Sequence, residues 1–259
     1  MLPAAIAIAA LLAAAALAAL WWNARRRAER LRARLEEAVS HLHRLERAFG
    51  RFAPAQVVDE IIATGAIAGG EKKEVTVLFA DLVSFTSLSE SVEPTTLVRI
   101  VNGYFERINR IVAEHRGYVA ALIGDGLLAF FGALQLNPWQ SNDAAHAALA
   151  MRAELAAYNR ELAAEGLPPI SLGVGLHRGT GVACVVGSRE LSTFTVVGRT
   201  VNLAARVQVL TREHGADILL TAAVRDALDP QFRLRALPDQ TLRGIGAPVA
   251  TFALERFEG

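Results

Sequence analysis

A single α+β domain, with helices packed on an open sheet, is the fold class this sequence predicts. Three patterns predict it. Short, very apolar runs recur between residues 71 and 256, each about the length of a buried strand. Longer segments of helical period alternate with them, enough to cover a sheet. Turn signals such as Gly-Asp-Gly punctuate the two. At 259 residues the chain holds one such domain and an appendage.

The appendage comes first. Residues 4–20 are all Ala, Ile or Leu, and Trp21 and Trp22 come directly after them. No ionisable side chain occurs before Arg25. A helix of this length spans roughly 30 Å, one hydrocarbon core. The Trp pair suits an interfacial belt, and Arg25, Arg26 and Arg27 place the C-terminal side of the run in the cytoplasm. Charge after the run, not before it, argues against a cleaved leader. Residues 1–23 are therefore expected to be a single-pass transmembrane anchor in the inner cell membrane, with membrane lipid as a partner.

Residues 24–52 carry nine Arg against four Glu. Ala28, Leu31, Leu35, Ala38, Leu42, Leu45 and Phe49 recur at alternating steps of 3 and 4, a heptad seam. One amphipathic helix is the simpler reading, and a parallel two-stranded coiled coil is the one the narrow stripe favours. Its basic residues also suit anionic lipid. Pro54 ends that helix, residues 53–70 read as a linker helix, and Gly69-Gly70 marks entry into the main domain, 71–256.

Within that domain Val75–Ala80 reads as a buried strand. Thr95–Glu114 reads as a helix, with apolar residues at Leu97, Ile100, Val101, Tyr104, Ile108 and Ile111. Val119–Phe131 is expected to be a hairpin turning at Asp125-Gly126. Asn142–Glu165 is a second long helix. Ile170–His177, Val182–Val186 and Phe194–Val197 read as three strands, Thr200–Thr211 as a short helix, and the domain closes with strands near Phe252–Leu254.

Composition narrows the partners. A net charge of +1 gives no electrostatic case for nucleic acid. The single cysteine, Cys184, excludes an intrachain disulfide and a cysteine-ligated zinc site, and it reads as a small buried apolar residue. The only lysines are Lys72 and Lys73.

Two carboxylates carry the chemistry. Asp81 ends the apolar run VTVLFAD, and Asp125 sits in the Gly-Asp-Gly turn of ALIGDGLLAFF. A lone Asp at a strand end is usually a cap or turn residue. Two of them on very apolar strands are costly to bury without a cation. Hard oxygen ligands suit two Mg²⁺ or Mn²⁺, with phosphates completing the shell. Asn202 and Arg206 stand at i and i+4, so they share a helix face, and a forked guanidinium suits phosphate.

The set FADLVSFT, GYVAALIGDGLLAFFG, GVGLHRGTGVACVVG, FTVVGRTVNLAAR and TLRGIGAPVATF resembles the catalytic domain of class III nucleotidyl cyclases, the adenylate and guanylate cyclases. The resemblance covers about residues 71–256. It implies a ferredoxin-like, palm-type sandwich and a head-to-tail homodimer with two sites at the interface. It implies that Asp81 and Asp125 hold the two metals, assisted by the Leu82 carbonyl. It implies that Asn202 and Arg206 of the other protomer orient the ribose and stabilise the α-phosphate. Val83, Ser84, Phe85 and Thr86 would cradle the triphosphate, and Arg243 stands where the family often has a phosphate-binding lysine.

Base selection departs from the family pattern. The resemblance expects a lysine four residues before Asp125 in adenylate cyclases, and Ala121 stands there. Seven residues before Asn202, where the family has Asp or Thr for ATP and Cys for GTP, stands Thr195. The expected reaction is ATP to 3′,5′-cyclic AMP and pyrophosphate. The alternatives are a guanylate or mixed-specificity cyclase, and a catalytically weak regulatory module on the same fold.

Overall fold

The computed structural model describes Trp22, Arg25 and residues 70–188, 192–242 and 248–259. The expected anchor, coil and linker helix otherwise lie outside the described residues, as does Arg243. Among the described residues no helix is long and apolar enough to cross a membrane.

The main domain runs β1 (Glu71–Val83), α1 (Phe85–Ser91), α2 (Pro94–Glu114), β2 (Gly117–Ile123), β3 (Gly126–Phe131), α3 (Gln140–Ala164) and β4 (Ser171–Gly187). It continues β5 (Ser192–Val197), α4 (Arg199–His214), β6 (Ile218–Thr221), α5 (Ala222–Arg225), β7 (Phe232–Ala236) and β8 (Thr251–Phe257). The sheet order is β2-β3-β1-β4-β6-β8-β7, with β5 paired to β4. Along β2, β3, β1 and β4 each strand is antiparallel to its neighbour, and β4 pairs β6 in parallel through α4. The β1-α-β2-β3-α-β4 portion is the ferredoxin-like split βαβ arrangement that the resemblance implies.

Alternation along the strands divides the core in two. Leu78, Ala80 and Leu82 of β1 join Leu127, Ala129 and Phe131 of β3 beneath α2 and α3. Val75 and Val77 join Leu128, Phe130 and Phe194, with Ala204 of α4 in the same cluster. Asp81 continues the second set, so its side chain is on the face that α4 covers.

Each covering helix is fitted to its seat. Glu93 caps α2 by accepting from the Thr95 amide at 2.9 Å, with Pro94 at the first turn. The α2 stripe buries Ile100, Tyr104, Ile108 and Ile111. At the start of α3, Gln140 Oε1 accepts from Thr76 N at 2.8 Å, which ties the helix to the middle of β1. A Cβ at Gly175 would lie 2.3 Å from the backbone nitrogen of Gln208. Glycine there is what lets α4 lie directly on β4.

The polar segment after Asp81 opens the helix α1, entered through Ser84 at φ 61°. Two expectations change. Ile170–His177 and Val182–Val186 are one strand of 17 residues, because the intervening Gly179 and Gly181 continue the ladder with β1. Cys184 is only half-buried, since it pairs with Thr195 of β5, and so does not read as a core residue.

His177 on β4 lies 2.8 Å, through Nδ1, from Thr221 Oγ1 on β6. Burial lowers its pKa from 6.5 to about 4. A histidine kept neutral in the fold binds fewer protons than in the unfolded chain, so stability falls as pH drops through that window. Lowering the pH from about 7 to about 5 is expected to cost about 2 kcal/mol at this residue. His177→Gln should flatten that part of the profile in thermal melts. An unchanged pH slope in the variant would contradict the assignment.

Candidate active site

The site forms where β1 and the β2–β3 hairpin end side by side. Asp81 lies one residue beyond the last β1–β3 pair, Ala80 with Leu127. Ile123 pairs with Gly126, so the hairpin turns on Gly124 and Asp125. The positive φ belongs to Gly124, at 63°, and not to the expected Asp125-Gly126 dipeptide, because Gly126 already begins β3. A Cβ on Gly126 would stand 2.9 Å from both the Ala80 carbonyl oxygen and Asp81 Oδ1. Its glycine is what allows the two strand ends to close on one another.

The two carboxyl groups are therefore close neighbours. Asp81 is raised above the usual carboxylate range, first by burial and then by the charge of Asp125. Arg212, on the last turn of α4, acts in the opposite sense. Its Nη2 donates to Asp81 Oδ2 at 3.0 Å and to the Leu82 carbonyl oxygen at 3.2 Å. Beneath them Tyr104 is fully buried in α2, and its hydroxyl has no hydrogen-bond partner among the described residues. Burial, then Asp81 and Asp125, pushes its pKa up, so it keeps its proton.

A divalent cation fits this donor set. The oxygens are hard, two carboxylates face one another, and a guanidinium already stands as a cation between Asp81 and Leu82. Among the described residues no group of three or more His, Cys, Asp or Glu could hold a metal by itself. Further oxygens have to come from substrate or water.

Val83 ends β1, Ser84 takes the left-handed conformation at φ 61° and ψ 33°, and Phe85 and Thr86 open α1. A non-glycine residue held there is strained, and such strain collects at functional turns. Ala121 on β2 and Thr195 on β5 are both half-buried. Their strands meet through Tyr118 and Phe194, whose ring centroids are 5.7 Å apart.

Asn202 and Arg206 do share a face of α4, Asn202 exposed and Arg206 half-buried. They do not join Asp81 within one chain. Arg212 is the residue of α4 that reaches Asp81, and Asn202 lies ten residues before it, about 15 Å back along the helix. Arg206 lies about 9 Å back. Sequence reasoning missed Tyr104, which reads as one more apolar stripe residue. It also missed Arg212, which reads as a basic residue at a helix end.

A carboxyl with a raised pKa holds its proton more tightly in the fold than in the unfolded chain. It therefore costs stability as pH rises through about 4 and beyond. Without metal, Asp81→Asn is expected to melt higher than the parent near neutral pH, with the gap closing toward about pH 4. Thermal melts in chelator check this. A variant that melts lower near neutral pH would show that the Arg212 pair outweighs the carboxylate repulsion.

Comparison with known proteins identifies the family. Residues 67–256 match the family model described as the adenylate and guanylate cyclase catalytic domain. An adenylate cyclase of Anabaena cylindrica is 33% identical over 215 residues, covering 79% of this chain and 42% of that protein. Adenylate cyclase 1 of Rhizobium meliloti is 30% identical over 198 residues, covering 76% of this chain and 30% of that protein. The chain thus spans less than half the length of these curated relatives. The crystal structure of the guanylyl cyclase Cya2 superposes with a TM-score of 0.66 at 27% identity, over 72% of this chain and 93% of that one. The adenylyl cyclase CyaB from P. aeruginosa shares the fold, with a TM-score of 0.67 at 24% identity, over 72% of this chain and 96% of that one. The chain belongs to the adenylate and guanylate cyclase catalytic-domain family.

Proposed function

We propose that this member of the cyclase family converts ATP to 3′,5′-cyclic AMP and pyrophosphate at sites shared between two copies of the chain. The observation that carries the reading is a division of labour. Asp81 and Asp125 meet at one end of the sheet, while Asn202 and Arg206 lie further back along α4 on an outward face. A second copy brings the halves together. Exposed Leu122, Ile123, Val182, Val186, Val197 and Val209 lie on the elements that carry the site residues, and such surface favours a partner.

In the proposed reaction Asp81, Asp125 and the Leu82 carbonyl would hold two Mg²⁺ or Mn²⁺, which would supply Lewis acidity. The ribose 3′-hydroxyl gives its proton to water, its oxygen bonds to the α-phosphorus, and the bond from that phosphorus to the α–β bridging oxygen breaks, releasing pyrophosphate. Asn202 of the second copy orients the ribose. Arg206 of the second copy stabilises the charge that gathers on the α-phosphate. Val83–Thr86 and Arg243 hold the β- and γ-phosphates, the former through amides at the strained start of α1.

ATP is favoured by Thr195 and by the adenylate cyclases among the relatives. GTP, or both nucleotides, is the second reading, and Ala121 is the residue that supports it. We also infer that residues 1–23 anchor the chain in the inner membrane, with the catalytic domain cytoplasmic and residues 24–52 pairing two chains in parallel. The Ala/Ile/Leu run, Arg25–Arg27 and the heptad seam support that arrangement.

Two experiments test the reading. The full chain in membranes, given Mn²⁺ or Mg²⁺ with ATP or GTP, is expected to yield mainly cyclic AMP by mass, and none after Asp81→Ala. Cyclic GMP as the main product would overturn the choice of base. Separately, Asp81→Ala and Arg206→Ala chains are each expected to be inactive. Mixed in equal amounts they should recover about one quarter of wild-type activity, because half the dimers are mixed and each mixed dimer keeps one whole site. No recovery on mixing would overturn the shared site.

A further inference from the structure

Arg212 does something that neither the motif nor the reaction explains. A basic residue in the last turn of a helix is ordinarily a dipole contact or a surface ion pair of little value. This one is placed differently. A single nitrogen, Nη2, stands 3.0 Å from Asp81 Oδ2 and 3.2 Å from the Leu82 carbonyl oxygen. Those are two of the oxygens assigned to the divalent cations. The guanidinium nitrogen therefore marks the point on which both converge.

The fold is shaped to put it there. Gly173 of β4 is paired directly with Asp81 of β1. A Cβ on Gly173 would meet Thr211 Oγ1 at 2.3 Å, so only glycine lets the last turn of α4 settle on β4 at the level of Asp81. Thr211 fills that space, and Arg212 next to it reaches over the strand end. The arginine is half-exposed, with 51% of its side chain accessible, so it is free to swing away. Asp81 is 28% accessible and faces Asp125, so it needs a cation whenever it is ionised.

We propose that Arg212 is an exchangeable counter-ion. It offsets the charge of Asp81 in the metal-free site, gives up Asp81 and Leu82 to the entering divalent cation, and then turns its guanidinium to the β- and γ-phosphates that arrive with it. The exchange keeps a cation against Asp81 in both states. It also sets the metal concentration at which the site fills. Guanidinium is suited to the second role because its planar fork matches phosphate oxygens. The inference rests on the metal assignment of Asp81, and its test separates the two.

Full-length wild type, Arg212→Gln and Asp81→Asn are titrated with Mn²⁺ alone, with free Mn²⁺ read from its paramagnetic resonance signal. Each is then titrated with α,β-methylene-ATP at saturating Mn²⁺. Arg212→Gln is expected to bind Mn²⁺ about fivefold more tightly than wild type, the scale of one partly exposed ion pair. It is expected to bind the nucleotide analogue more weakly. Equal or weaker Mn²⁺ binding by Arg212→Gln overturns the exchange, and unchanged analogue binding overturns the hand-over to phosphate. If Asp81→Asn binds Mn²⁺ as well as wild type does, the metal assignment itself fails. Melting curves of the three proteins in chelator establish that each is folded.

Discussion

Two carboxylates brought together at neighbouring strand ends are an unstable arrangement, and the rest of this site is organised by that fact. Asp81 and Asp125 come from adjacent strand ends, and Gly126 removes the side chain that would hold them apart. Burial raises the cost of ionising Asp81, and Asp125 raises it further. A site so built demands positive charge. Arg212 meets that demand from α4, and it does so only because β4 has a glycine beneath Thr211. Tyr104 adds a buried hydroxyl with no hydrogen-bond partner among the described residues. The same electrostatic need that makes the pair unfavourable alone makes it a receptor for cations.

The second constraint is the length of α4. Its sixteen residues lie flat on β4 through the contact at Gly175, so the helix is a rigid ruler. Arg212 at one end touches the carboxylate site, while Asn202 near the other end is held away from it. No side-chain rotation closes a gap of about 15 Å. Under the proposed function, a chain that carries both halves of a site, yet cannot bring them together, is a chain whose activity depends on how two copies meet. Any device that changes that meeting changes the rate without touching the chemistry.

Much of this was legible in the sequence, and the remainder was hidden for physical reasons. The strands around Asp81 and Asp125 announce themselves because burial on both faces leaves continuous apolar runs. Asn202 and Arg206 are legible because helical periodicity puts them on one face. The left-handed turn at Ser84 into α1 was not, since a serine side chain does not favour that conformation. The continuity of β4 was hidden by Gly179 and Gly181, which look like breaks but serve close packing against Thr200 and Val196. Arg212 was illegible because its meaning lies in a tertiary contact 131 residues away in the chain.

The purine end of the site follows a different logic from the phosphate end. Charge fixes the phosphates, whereas bases are separated only by the pattern of donors and acceptors on their edges. In the proposed reading Ala121 offers a methyl group where a lysine would impose a donor. Thr195 offers a hydroxyl, which accepts from an amino group or donates to a carbonyl by rotating. A hydroxyl is therefore a poor discriminator of adenine from guanine by polarity alone. A pocket that loses a fixed hydrogen-bonding group gives up discrimination on the scale of that one hydrogen bond, about 1–3 kcal/mol. Chemistry and base choice are thus separable in this chain. In the proposed reading the carboxylates and Arg206 govern whether a purine nucleotide is cyclised, and the few polar atoms near Thr195 govern which one is preferred.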